Sequence, residues 1–189
     1  MIEISTAVVV ALMSAVLVGG VGIGWFLGRR RGVGESFAKS QIPNAPLADG
    51  PIDLLAAISD AVDMVKDRAA AKAITLKLSL PEALPVLRAD ETMVNQMLNA
   101  LLANALETTP TEGWVVITAG RGRRGLSIAV ADTGSGVSVE QVTKIKTWIE
   151  QHGGEFQCNT LEGRGTTVAL TFPPWRLDTG EDGQAPGVS

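Results

Sequence analysis

The chain has 189 residues, and 46% of them are hydrophobic, so one domain with its own core and some appended segments is expected. A net charge of −4 argues against binding of nucleic acid through a broad basic surface. With Cys158 as the single cysteine and His152 as the single histidine, the sequence excludes an internal disulfide and any metal site that needs several His or Cys ligands.

The N-terminal region has the pattern of a membrane anchor. The run from Ser5 to Leu27 contains no charged residue, and about 20 apolar residues cross a bilayer as a helix. Arg29 to Arg31 follow the run directly, and only Glu3 precedes it, so the positive-inside rule places the N-terminus outside and the rest of the chain in the cytoplasm. Residues 1–31 are therefore predicted to form a transmembrane anchor with a basic cytoplasmic flank. A cleaved signal peptide is the alternative, but its apolar core is normally shorter and follows positive charge.

Small residues recur in this segment at four-residue intervals, most clearly at Gly20, Gly24 and Gly28. Such a ridge lets two helix backbones approach closely in lipid. The pattern favours a homodimer through the transmembrane helix, or pairing with another membrane protein. The alternative is that glycine is simply common in membrane helices.

Two further segments lack the periodicity of regular structure. Residues 32–50 are rich in Gly, Pro, Ser and Asn and are predicted to be a flexible linker. Residues 174–189 are predicted to be a disordered acidic tail. The folded domain is expected between them, at residues 51–173.

This domain alternates between helical and extended patterns of apolar residues. The predicted elements, in chain order, are a helix opened by Asp53, a strand at 74–80, an extended piece at 86–87, a helix from Asp90 to about Glu107, a hairpin of 114–119 and 126–131, a helix at 138–152 ended by Gly153, and strands at 155–159 and 166–172. The expected fold is α+β, a two-layer α/β sandwich in which three helices cover a mixed sheet of about five strands, in addition to the transmembrane helix. Cys158 alternates within a predicted strand and is expected in the core.

Three segments of this domain carry recognisable motifs: ADETMVNQMLNALLANALETTP, ADTGSGV and EQHGGEFQCNTLEGRGTTVALTFP. In this order they resemble the N-box helix, the first glycine box and the closing helix and hairpin of the ATP-binding domain of bacterial sensor histidine kinases. That domain belongs to the larger superfamily of gyrase, Hsp90 and MutL. The resemblance covers residues 51–173 and implies a bacterial protein. The single-pass anchor predicted from residues 1–31 is therefore expected in a bacterial inner or internal membrane, with this domain in the cytoplasm.

The resemblance also implies a nucleotide site. Asn104 matches the asparagine that holds Mg²⁺ against the phosphates, and Asp132 matches the carboxylate that accepts the adenine amino group. Gly134 and Gly136 would allow the close backbone approach that side chains block. Thr166 matches the hydroxyl that supports the adenine-binding carboxylate. The alternative is that all five residues serve only the fold.

Departures from the family pattern favour that alternative. Ala100 stands where the family carries the residue that helps activate the reaction, and Glu107 stands where a cation often faces the phosphates. After Gly136 the family has a long lid and a second glycine-rich box, whereas here Val137 leads straight into the last helix. Catalysis of phosphoryl transfer consists almost entirely of positioning and charge stabilisation, so these losses are expected to be severe.

No histidine precedes the domain in the place of a phosphoacceptor. His152 lies at the end of the last helix, where we expect it to cap terminal carbonyls rather than to accept a phosphoryl group.

The sequence thus predicts a membrane-anchored pseudokinase-type binding or scaffold module that docks a cytoplasmic protein, without catalysis and with no cofactor expected. One alternative is a regulatory domain that binds ATP or ADP with Mg²⁺ through Asp132 and Asn104. Another is the ATPase half of a split histidine kinase that acts on a partner's histidine. No nucleic-acid partner is expected.

Overall fold

A five-stranded sheet with helices packed on one face forms the body of the domain in the computed structural model, which describes residues 47–161 and 163–178. The helices are α1 (Leu54–Ala71), α2 (Glu91–Thr108) and α3 (Val139–Gln151). The strand order of the sheet is β2 (Thr75–Ser79), β4 (Trp114–Gly122), β5 (Gly125–Asp132), β7 (Gly165–Phe172) and β6 (Glu155–Leu161). Only β2 and β4 pair in parallel, so the sheet is mixed and the predicted α+β architecture of three helices over five strands is confirmed.

Alternating residues of the central strands supply one side of the core, and the inner faces of the helices supply the other. Among the largest fully buried side chains are Phe172 from β7, Ile128 from β5, Leu98 from α2 and Ile145 from α3. Burying side chains of this size contributes roughly 1.5–3 kcal/mol each. This contact fixes which face of each strand points toward the helices.

The helix ends form where the sequence predicted them. Asp53, Asp90 and Ser138 are N-caps whose side chains accept hydrogen bonds from amides of the first turn. Gly153, with a φ of 72°, follows the end of α3 in a left-handed conformation that favours glycine.

A second sheet of three strands extends both predicted boundaries of the domain. Its order is β1 (Asp49–Ile52), β3 (Val86–Asp90) and β8 (Leu177–Asp178), and a 3-10 helix (Pro174–Arg176) leads into β8. Residues 49–50 therefore do not belong to a flexible linker, and residues 174–178 do not belong to a disordered tail. Both strands are too short to show periodicity, and each is held by pairing with β3, which is far from β8 in the sequence.

Cys158 corrects another expectation, since its side chain is exposed. It does alternate within a strand, but β6 is the edge of the sheet, and the Cys158 side chain is open to solvent there. Alternation predicts which face a side chain lies on, but not whether another element covers that face.

The predicted anchor at residues 5–27 and its glycines Gly20, Gly24 and Gly28 lie outside the described residues. Among residues 47–161 and 163–178, no helix is both long enough and apolar enough to cross a bilayer.

Candidate functional site

The predicted site residues meet at one end of the large sheet, where β5 ends. Asp132 is the last residue of β5 and pairs in register with Thr166 of β7. Only residues 133–138 connect β5 to α3, which begins at Val139. The short connection predicted from the sequence is therefore present in the fold.

Asn104 of α2 holds this connection against the helix. Its side chain is 5% exposed, and Nδ2 donates a hydrogen bond to the carbonyl oxygen of Gly136 at 3.3 Å. Gly136 has a φ of 134°, a conformation that side chains strongly disfavour. Asn104 and Gly136 are thus in contact, and this hydrogen bond joins α2 to the connection before α3.

Asp132 is a buried carboxylate whose described contacts do not include a cation. It is 3% exposed, and its Oδ1 accepts a hydrogen bond from the amide of Gly134 at 2.7 Å. Burial raises the pKa of Asp132 to about 6, although the amides of Gly134 and Thr166 act in the opposite direction. The carboxylate is therefore ionised above about pH 6 in an environment that disfavours its charge.

The hydroxyl of Thr166 has a different partner from the one implied by the family resemblance. Thr166 Oγ1 lies 3.3 Å from Thr160 Oγ1, whereas the backbone amide of Thr166 is the group that stabilises the Asp132 carboxylate. Thr160 was not identified from the sequence. The register β6–β7 places it directly opposite Thr166, which is a relation the sequence alone does not reveal.

Two glycines allow the backbone to pass close to Asp132. A Cβ on Gly134 would lie 2.8 Å from Asp132 Oδ1 and closer still to Thr108 Oγ1. Gly165 has a φ of 120°, and a Cβ there would collide with the carbonyl oxygen of Asp132. Gly165 was missed in the sequence analysis, although its position directly before the Thr166 strand and after a hairpin turn is a usable signal.

The N-box helix also contains Ala100 and Glu107, the two departures from the family pattern, and Thr108 beside them. Ala100 is partly buried and packs against the core, and Glu107 is exposed. Thr108 donates its hydroxyl to the carbonyl oxygen of Asn104 at 3.0 Å. A cation does lie at this end of the helix, since Lys72 Nζ donates to the carbonyl oxygens of Leu106 at 2.7 Å and of Glu107 at 3.4 Å.

His152 lies at the opposite end of the large sheet and is 0% exposed. Its Nε2 accepts a hydrogen bond from the amide of Asp90 at 3.1 Å, so Nδ1 carries the proton and donates to the carbonyl oxygen of Trp148 at 2.7 Å. The contact with Trp148 is the carbonyl capping expected from the sequence. The contact with Asp90 was not expected, and it ties the end of α3 to the start of α2.

The residues can be compared with the two ends of an ATP molecule. Asp132 is a buried acceptor of the kind that an adenine amino group requires. At the phosphate end, Asn104 donates through Nδ2 to the Gly136 carbonyl, which leaves Oδ1, the atom that would hold Mg²⁺, outside this hydrogen bond. The connection there consists of residues 133–138 alone. Among residues 47–161 and 163–178, no group of three His, Cys, Asp or Glu side chains is arranged to hold a metal ion.

Comparison with known proteins places these features in context. Residues 89–176 match the family model described as histidine kinase-, DNA gyrase B- and HSP90-like ATPase. The sensor histidine kinase ZraS of Escherichia coli is 29% identical over 146 residues, which cover 67% of this chain and 31% of ZraS. The chain therefore aligns with about a third of that relative's length.

Solved structures share the fold. Full-length ShkA in complex with AMPPNP superposes with a TM-score of 0.62 at 23% identity, covering 68% of this chain and 32% of ShkA. Histidine kinase ThkA in complex with the response regulator protein TrrA superposes with a TM-score of 0.57 at 21% identity, covering 68% of this chain and 42% of that chain.

Proposed function

Through residues 89–176 this chain belongs to the histidine kinase-, DNA gyrase B- and HSP90-like ATPase family, and from that premise we propose that it is a membrane-anchored docking module without kinase activity. Residues 5–27 anchor it in a bacterial inner or internal membrane, with the folded domain in the cytoplasm. The domain binds a cytoplasmic signalling protein. The complex of ThkA with a response regulator supports this class of partner.

The observation that carries the proposal is the connection between Asp132 and Val139. It is too short to form a lid, and the hydrogen bond from Asn104 to Gly136 holds it against α2. Backbone amides that would surround the terminal phosphates are not provided by residues 133–138. Phosphates left in water gain little from the charges that remain, because water screens the interaction.

Isothermal titration calorimetry of the fragment from residue 47 with ATP and Mg²⁺ tests the proposal. We expect no binding at micromolar nucleotide and no transfer of phosphate to the chain or to an added response regulator. Micromolar binding that Asp132→Asn abolishes would overturn the docking proposal in favour of a nucleotide sensor. Phosphotransfer to a partner's histidine would instead support a split kinase.

The nucleotide sensor is the second candidate because of the state of Asp132. A buried carboxylate with a raised pKa opposes folding when it is ionised, and a hydrogen-bond donor such as an adenine amino group would relieve this. The sensor would bind ATP or ADP mainly through its base. In calorimetry it would show similar affinities for ATP, ADP and adenosine, because the phosphates contribute little.

A further inference from the structure

The two edges of the large sheet differ in how they are protected. The β2 edge contains Lys77 and ends just before Pro81, two features that discourage strand addition. The β6 edge (Glu155–Leu161) has no proline or lysine, and Glu155 is its only charged residue. Within residues 47–161 and 163–178, no segment pairs with the outer side of β6. β6 is therefore an unprotected edge of seven residues.

We propose that β6 pairs with β6 of a second copy of this chain, antiparallel and about a two-fold axis at Cys158. The two five-stranded sheets then join into one continuous sheet. In this register Cys158 lies opposite Cys158 of the second copy, and Gln157 lies opposite Asn159. Strand addition of this kind satisfies backbone groups that otherwise face water.

The side chains of β6 are complementary in this register. The amides of Gln157 and Asn159 are both exposed. Gln157 Nε2 donates to Glu155 of its own strand at 3.1 Å, and its Oε1 can accept a hydrogen bond from Asn159 of the second copy. Glu155 lies opposite uncharged Leu161, so no like charges oppose each other within the strand. Glu155 also forms a salt bridge with Arg124 of its own chain at 3.2 Å, which reduces the charge that faces the second copy.

The second copy is the occupant because the proposed anchor brings it close. This step rests on the membrane anchoring of the proposed function. Two copies whose transmembrane helices associate along Gly20, Gly24 and Gly28 present their domains to each other at an effective concentration of about 1 mM. One pair of edge strands, which is weak by itself, becomes populated at that concentration.

The test is oxidative cross-linking of the full chain in membranes, where Cys158 is the only cysteine. Residues directly opposite in an antiparallel pair have Cα atoms about 4.5 or 5.5 Å apart, and both separations allow a disulfide. The matched control moves the thiol to another exposed position of β6, as Cys158→Ser with Leu161→Cys. In the proposed register these two thiols lie about 20 Å apart, so we expect rapid dimer formation for the wild type and little for the control.

A charge swap tests the register itself. Gln157→Lys with Asn159→Lys opposes like charges at two places in the pair, and we expect cross-linking at Cys158 to slow by roughly fivefold. Gln157→Lys with Asn159→Glu carries the same number of changes but pairs opposite charges, and we expect the wild-type rate. Circular dichroism of both variants checks that the fold is retained.

Carbonate washing of the same membranes separates the pairing from the anchor. If the chain stays in the membrane, the anchor is intact. The β6 pairing is then overturned if the wild type cross-links no faster than the Leu161→Cys control, or if the two charge variants cross-link at equal rates. Extraction of the chain by carbonate disproves the anchor. The ratio of the two cross-linking rates is then measured on the extracted chain at about 1 mM, the concentration that the anchor was to supply, where it still decides the pairing.

Discussion

At the scale of single residues, Asp132 combines burial with an unfavourable charge. Its carboxylate is 3% exposed and is stabilised by two backbone amides. Such a group is retained in a fold either because a ligand uses it or because its neighbours have adapted to it. Its effect on stability can be measured without any ligand.

We predict that Asp132→Asn stabilises the domain at pH 7.5 by on the order of 2 kcal/mol. The folded-state pKa of about 6 lies above the ordinary value of 3.8, so the folded state takes up a proton before the unfolded state as the pH falls. Wild-type stability therefore gains relative to the variant as the pH falls through about 6, and the advantage of the variant shrinks toward pH 4. Urea unfolding across this range gives the difference.

The exposed substitution Asp60→Asn is the matched control, and it should not stabilise the domain at pH 7.5. A variant that is less stable than the wild type at pH 7.5 would mean that the ionised carboxylate stabilises the turn at Gly134 by more than its burial disfavours it.

The positions of single residues could be predicted where a motif fixes the backbone. Asp132, Gly134 and Thr166 were expected to lie together because the sequence marks the strands and the turn that carry them, and they do lie together. The partner of the Thr166 hydroxyl could not be predicted, since it depends on which residue of β6 lies opposite. Gly165 was overlooked for the same reason: its need for a positive φ comes from the approach of the Asp132 carbonyl across the β5–β7 pair.

At the scale of elements, Asn104 links α2 to the connection before α3. We predict that Asn104→Ala increases amide hydrogen exchange in residues 134–138 and lowers stability by about 1–2 kcal/mol, with no nucleotide present. Loss of the Asn104 donor leaves the Gly136 carbonyl without this partner and frees the connection to move.

The exposed amide Gln96, on the same helix, is the control, and Gln96→Ala should leave the exchange pattern unchanged. Unchanged protection of residues 134–138 in Asn104→Ala would show that the hydrogen bond does not hold the connection, and would weaken the docking proposal.

His152 joins a different pair of elements, and its pH response has the opposite sign to that of Asp132. Burial lowers its pKa below 6.5, so the unfolded state takes up a proton first as the pH falls, and stability is lost below about pH 6.5. The neutral ring is also the form that accepts from Asp90 and donates to Trp148. Acid therefore works against the contact between α3 and α2.

We predict that the Asp132→Asn background, in which the opposing effect is removed, loses stability as the pH falls from 7 to 5. His152→Gln added to it should lower stability by about 1–3 kcal/mol at pH 7.5 and flatten the dependence, because the amide does not titrate. Urea unfolding at each pH measures both effects. A slope that persists in the double variant would assign it to other groups.

The helices and longer strands could be predicted because burial imposes a period on their residues. Asp53, Asp90 and Ser138 added caps at the expected places. β1 and β8 could not be predicted, since a strand of two to four polar or mixed residues has no period and exists only through its partner. The exposure of Cys158 could not be predicted either, because it depends on the place of β6 at the edge of the sheet and not on the residues of β6.

At the scale of the whole molecule, the order of strands is what the sequence left open. β2 and β4 pair in parallel although β3 and α2 lie between them in the sequence. β3 pairs with β8, which is the last described strand. The two sheets place different groups of residues at the two ends of the domain. Asp132 and the short connection occupy one, and His152 and the small sheet occupy the other.

The small sheet has a mechanical consequence. The chain enters the domain at Asp49 and leaves it at Asp178, on the two outer strands of that sheet. Arg176 fastens them together by donating to Asp49 at 2.8 Å and to the carbonyl oxygen of His152 at 2.7 Å. Arg88 of β3 also pairs with Asp178 at 3.3 Å. A pulling force between the two ends is therefore borne by β1, β3 and β8 and by the guanidinium groups of Arg176 and Arg88, and it bypasses the β5–β7 pair. Tension along the chain can therefore separate the strands of the small sheet while the surroundings of Asp132 keep their shape.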